Sequence, residues 1–335
     1  MNNEIDFATP TKKMNDVLID VKLQDIYSEF HFPGTLFNQP IFTRNHRAVV
    51  NQRSGEIISV VGSNYKLISN KEAIGIGKQI FIQLYPSVKS NELIPFKVVA
   101  PHSNASAHID FIHQSVDFKV WDQETWLPFL RTTNSYNRSI ALSFEMGFVR
   151  KLCSNGVLFN KNSIKLKYLH NKGNRVDIIS ASNQIKATSD LFIKQCQSLR
   201  NYKLPKELMI ALVFQILNIN LEIQNSKQFT RKLNYLHNLI ELTKVLIERY
   251  STDLGSNAYT AFNVMTDLVS HQDEYKNLTG YYFNVRSFYA KPADWMEDFS
   301  NKIIANSFAF EKYVGETIKR LESVKEQTKL EWMLN

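Results

Sequence analysis

The chain has 335 residues, with 40 Lys plus Arg against 32 Asp plus Glu, 44% hydrophobic residues and only 11 Gly and 9 Pro. Such a composition excludes a disordered, fibrous or collagen-like protein and is long enough for two domains with separate cores. No apolar run reaches the roughly 18 residues that a membrane-spanning helix needs, and the polar start, with Glu4 and Asp6, is unlike a secretory signal. Cys153 and Cys196 form neither a disulfide framework nor a zinc spacing, which fits a reducing cytosol.

In chain order, residues 1–35 read as a poorly structured arm. Val17, Leu18, Ile19 and Phe30 could dock it onto the body, and Phe32-Pro33-Gly34 ends it. Ala48 to Val50 and Ile57 to Val61 are short β-rich runs around a turn, the pattern of a hairpin. Ser69-Asn70-Lys71-Glu72 is a capping box that opens a helix with Ala73, Ile76, Ile80 and Leu84 on one face; Pro86 stops it. Candidate strands follow at Phe96 to Ala100, His108 to His113 and Phe118 to Trp121. Ile140, Leu142, Phe144, Met146 and Phe148 then alternate with small or polar residues, which predicts a strand with one buried face. Ile164, Leu166 and Tyr168 alternate with Ser163, Lys165 and Lys167, which predicts a basic exposed face.

After about residue 180 the period becomes helical. Ile185, Phe192, Cys196 and Leu199 make one stripe, and a new helix starts at Leu204-Pro205. Phe229, Leu233, Leu236, Ile240 and Leu246 make a second stripe, and Ala258, Phe262, Met265 and Val269 a third; Pro292 is expected to open the last helical stretch. The fold class is therefore α+β: an arm over 1–35, a mixed or antiparallel sheet domain with a packed helix over 36–180, and an α-helical domain over 181–335.

The formal net charge of +8 is concentrated. Between Arg131 and Arg175 stand Arg131, Arg138, Arg150, Lys151, Lys161, Lys165, Lys167, Lys172 and Arg175, against Glu145 alone. Either this segment makes a field for a polyanion, or its cations are solvated surface residues whose carboxylate partners fold back from elsewhere. Aromatic rings interleave them: Tyr136 by Arg138, Phe148 by Arg150, Phe159 by Lys161 and Tyr168 by Lys167. Cations along a phosphate backbone beside rings on which bases stack are the requirement for single-strand binding. Phe144 and Phe148 belong to the inward strand face, which leaves Tyr136 and Tyr168 as the stacking candidates.

Other constellations carry less. Gly75-Ile76-Gly77-Lys78 lacks the spacing and the hydroxyl residue of a phosphate loop and sits within the expected helix. His102, His108, Asp110 and His113 can bring at most two ligands together on a strand, too few for catalytic zinc. No nucleophile or metalloprotease motif occurs. Neither metal nor cofactor is expected.

Three segments, Val61 to Ala73, Asn134 to Ser139 and Val149 to Val157, followed by Tyr259 to His271, resemble the phage/plasmid-like family known as domain of unknown function 932, in matching order over about residues 40 to 275. Departures are Tyr136-Asn137, where the family carries Asp or His, and Asn-Val-Met-Thr in the helical motif. The resemblance implies a gene of a phage, prophage or plasmid and a setting in the cytoplasm of a bacterial host; it implies no mechanism. The Asn134 to Asn137 and Cys153 to Gly156 segments either close hairpins or meet at one sheet end and present Arg131, Arg138, Arg150 and Lys151 to a phosphate. The expected function is non-enzymatic binding of nucleic acid, in particular single-stranded DNA, in replication or recombination, with room for homo-oligomeric assembly. The alternative is an accessory or counter-defence factor whose basic face meets a host or phage protein.

Overall fold

A computed structural model describes residues 13–30, 39–101, 103–151, 156–158, 165–170, 176–223, 229–271, 275, 285–302 and 307–334. It confirms the α+β class, with antiparallel sheets toward the N-terminus and helices toward the C-terminus. The strands are β1 (Val21–Phe30), β2 (Gln39–Asn51), β3 (Ile57–Gly62), β4 (Ile94–Val99), β5 (Ser106–Ile112), β6 (Phe118–Trp121), β7 (Glu124–Ser135), β8 (Leu142–Arg150), β9 (Gly156–Leu158) and β10 (Lys165–Tyr168). The helices are α1 (Met14–Val17), α2 (Asn70–Leu84), α3 (Ile178–Asn201), α4 (Lys206–Ile216), α5 (Phe229–Leu254), α6 (Ala258–Ser270), α7 (Val285–Lys302) and α8 (Ser307–Thr328).

Two compact units divide the chain, and neither is contiguous. The first comprises 1–116, 128–146 and 162–186; the second comprises 117–127, 147–161 and 187–335. The first unit contains a three-stranded sheet in the order β1-β2-β3; the larger antiparallel sheet, in the order β10-β8-β7-β5-β4, has β10, β5, β4 and residues 128–135 and 142–146 of β7 and β8 in the first unit, and the remaining residues of β7 and β8 in the second. Residues 21–30, expected in an unstructured arm, form β1, because the alternation of Val21, Leu23 and the following residues pairs along β2 and docks apolar side chains on a cluster of Val49, Val61, Tyr65 and Tyr136.

Helix α2 follows its capping signal: Ser69 Oγ accepts from the Glu72 amide at 3.1 Å. It approaches β7 closely at Gly77, where a Cβ would lie 2.2 Å from Thr132 Oγ1. The Gly-Lys sequence of this segment thus serves helix-to-sheet packing rather than a phosphate loop. Strand β8, expected to bury one face, is buried at all nine residues. Its second face carries Ser143 and Glu145, and the neighbouring strands add His108, Asp110, Arg131 and Thr133, all at most 3% exposed.

The second unit is mainly helical, with α5 against α6, α4 against α8 and α6 against α7. Phe192 of α3 stacks on Phe148 with centroids 4.5 Å apart and meets Trp126 edge-on at 5.0 Å. Pro292, expected to open the last helical stretch, lies inside α7. The buried stripe Ala293, Trp295, Met296 and Phe299 holds that helix despite the missing amide donor. Among the described residues no helix is long and apolar enough to cross a membrane.

Candidate nucleic-acid interface

Three of the expected contact residues are interior. Arg131 is 1% exposed and faces its strand partner Asp110, with Nε to Oδ1 and Nη2 to Oδ2 both at 2.7 Å. Arg150 is 3% exposed and grips Glu124 at 2.6 and 2.7 Å. A guanidinium with both faces of its strand covered needs a carboxylate to offset lost hydration, and the planar fork supplies two charge-assisted bonds at once. Tyr136 is fully buried; its hydroxyl accepts from the Asn70 amide at 2.9 Å, and burial pushes its pKa up to about 12. None of the three can meet a ligand at the surface, so these assignments are corrected. Of the Cys153 to Gly156 segment, residues 153–155 lie outside the described residues.

Arg138, unlike these three, stands at the surface. The turn that carries it is pinned by Ser135 Oγ, which donates to Ile140 O at 2.6 Å, and by Asn137 Oδ1, which accepts from the Ser139 amide at 3.1 Å. Arg138 itself adopts φ +60°, a left-handed conformation that costs a non-glycine residue about a kcal/mol or more and recurs at functional sites. Its side chain is exposed, and Nη1 lies 4.0 Å from where a Cβ on Gly62 would stand.

Around that point the fold gathers further basic side chains. His46 is the strand partner of Gly62, and the Ser63 amide donates to Asn45 O, which ties the β2 segment of Arg44 and His46 to this turn. The Lys66 amide donates to His170 O at 2.9 Å, and the His170 ring, whose Nδ1 lies 3.3 Å from Lys66 O, stacks on Tyr65 at 5.2 Å. Burial, aided by the Arg138 charge, pushes the His170 pKa below its usual value. Arg44 and His46 are exposed and Lys66 half-buried. Among the described residues no carboxylate pairs with Arg44, Lys66 or Arg138.

The remaining expected residues divide. Lys165 and Lys167 lie on β10, at one end of the larger sheet's strand order, opposite Glu145 and Ser143 in register. Tyr168 is half-buried with its ring 6.2 Å from that of Phe144, so part of its face is already taken. Lys151 is exposed, belongs to the second unit and pairs with Asp117 at 2.8 Å. Lys161, Lys172 and Arg175 lie outside the described residues. Arg44, His46 and Lys66 were missed by the sequence reading; the alternation of β1 was the signal for a partner strand, β2, that brings Arg44 and His46 into a sheet, whereas Lys66 lies after β3, outside any strand.

The histidines do other work. His108 Nδ1 lies 2.6 Å from Thr133 Oγ1, Asp110 is committed to Arg131, and His113 faces Glu92 at 3.5 Å; His102 lies outside the described residues. Among the described residues no three His, Cys, Asp or Glu side chains stand close enough to hold a metal ion. Cys196 is fully buried, and burial with the nearby Glu124 charge raises its thiol pKa well above the usual value, which disfavours the nucleophilic thiolate.

Comparison with known proteins gives one relationship. The model of a family described as domain of unknown function (DUF932) matches residues 104–294, more than half of the chain. No curated protein and no solved structure matches.

Proposed function

The chain belongs to the DUF932 family, and from that premise we propose that it is a non-enzymatic nucleic-acid-binding protein of a phage or plasmid, at work in the cytoplasm of a bacterial host. The observation that carries this reading is the group of Arg44, His46, Lys66 and Arg138 around the Gly62 turn, where the three Lys and Arg side chains lack a carboxylate partner among the described residues. Cations left without internal partners keep their charge for an external polyanion. The left-handed Arg138 supports it further, because strained backbone of this kind clusters at functional sites and this residue's side chain is exposed. Lys165 and Lys167 extend the same role along β10.

Full-length protein titrated into a fluorescent oligonucleotide of about 40 residues, at several salt concentrations, tests this. Five phosphate contacts, from Arg44, Lys66, Arg138, Lys165 and Lys167, give a log-log salt slope of about −3 to −4 on single strands. Arg138→Gln with Arg44→Gln should reduce that slope by about 1.4. Micromolar protein that binds no oligonucleotide at low salt removes the reading and leaves a host or phage protein as the partner of this face.

A further inference from the structure

Resting on the nucleic-acid reading, we infer that Tyr27 and Phe42 form a base-stacking platform that makes the protein prefer single strands. The two residues are direct cross-strand partners on β1 and β2, with ring centroids 6.0 Å apart and an interplanar angle of 59°. They are 54% and 61% exposed. Such a cross-strand ring pair adds up to about 1 kcal/mol to the pairing of its strands, and more than half of each residue stays open to solvent, where every base offers a π-face to such rings.

The backbone beside them is shaped to match. The ladder steps from Asp25 opposite Arg47 directly to Tyr27 opposite Phe42, so residues 43–46 of β2 stand against Ile26 alone. That bulge carries Arg44 and His46, both exposed, next to the ring pair; bulges re-aim side chains in this way and recur beside functional sites. The bulge also carries Asn45, whose carbonyl accepts from Ser63 at the Gly62 turn, where Arg138 stands. Rings, the bulge with Arg44 and the Arg138 turn thus form one track within the first unit. Asp25, at the edge of the bulge, is engaged by Arg47 at 3.1 Å, which offsets its charge there. Duplex DNA presents phosphates but hides its base faces, so the ring end of the track is useful only to a single strand.

The probes are a labelled oligo-dT, the same oligomer with abasic sites, and a duplex with the same number of phosphates. Wild-type protein should bind oligo-dT at least about tenfold more tightly than the abasic strand, the scale set by stacking of one or two bases. Tyr27→Ala with Phe42→Ala should remove that preference and leave abasic and duplex binding unchanged, while Phe42→Trp should keep it. Equal wild-type affinity for oligo-dT and the abasic strand overturns the inference. So does an alanine variant that retains the preference, and in both cases the wider reading survives, since phosphate-driven binding persists. Failure of wild-type protein to bind any of the three probes removes the wider reading and this inference with it.

Discussion

Two buried arginine–carboxylate pairs, one in each unit, have nearly the same geometry and different surroundings. Asp110 accepts both of its strong hydrogen bonds from Arg131, its neighbour across the ladder. Glu124 accepts a similar fork from Arg150, and its Oε1 also accepts from Trp126 Nε1 at 3.0 Å and from the Tyr259 hydroxyl at 2.5 Å. Arg150 in addition lies 5.7 Å from the Tyr250 ring centre, and the Tyr250 hydroxyl donates to Asp267 at 2.5 Å. Among the described residues Asp110 accepts from Arg131 alone, whereas Glu124 is the centre of a network that joins strand and helix residues of its unit. A buried carboxylate with several donors tolerates loss of one of them better than a carboxylate with one.

The largest effect that follows is at Arg131. Arg131→Met should lower unfolding stability by about 3–5 kcal/mol, because Asp110 is left charged and buried without its donor. Urea denaturation measures it, and Asp110→Leu in the same chain should recover much of the loss, because no uncompensated charge then remains. Arg150→Met should cost less, about 2–3 kcal/mol, since Trp126 and Tyr259 continue to donate to Glu124. An Arg150→Met loss equal to or above that of Arg131→Met breaks the comparison.

Tyr259→Phe removes one of three donors and should cost about 1–2 kcal/mol. The Tyr259→Phe, Arg150→Met cycle should give a coupling energy of at least about 0.5 kcal/mol, and additivity would mean that no network exists.

The smallest effects are in pH dependence. Tyr136 has a folded pKa of about 12 against a usual 10.0, chiefly through burial. Its stabilising contribution is complete below pH 10.0 and is lost as pH rises toward about 12, because the unfolded chain gives up the proton first. Tyr136→Phe should flatten that part of the alkaline limb. On the acid side His170, depressed below 6.5 mainly by burial, contributes stability that is complete above 6.5 and is lost as pH falls below it. His170→Phe keeps a ring against Tyr65 and should flatten the decline below that pH.

Much of the architecture was legible from residue order. The capping box at Ser69, the alternation from Ile140 to Phe148 and the helical stripes after residue 180 each state a local preference, and each is met by an element at that place. The family was legible for a similar reason: its motifs are local and ordered. The site was legible only in part. Arg131 and Arg150 are indistinguishable in sequence from surface cations, because their carboxylates lie 21 and 26 residues away and meet them only through strand register. Tyr136 looked free because it follows a polar segment, yet Asn70, Ser59 and Tyr65 close around it from other elements. Arg138 was found because a polar turn next to a buried strand has few places to hide a guanidinium.

The interleaving of the two units bears on how such a protein can change over evolutionary time. The chain passes between them five times, through 117–127 and 147–161 as well as near residue 186. Glu124 and Arg150, at the heart of the helical unit, are supplied by those two excursions, so a fragment starting at residue 187 would carry Tyr259 without the carboxylate it serves. Neither half can be shuffled, duplicated or lost as a cassette. Recombination between relatives is constrained to exchange both units together or to fall outside them, which favours descent of the chain as one indivisible gene.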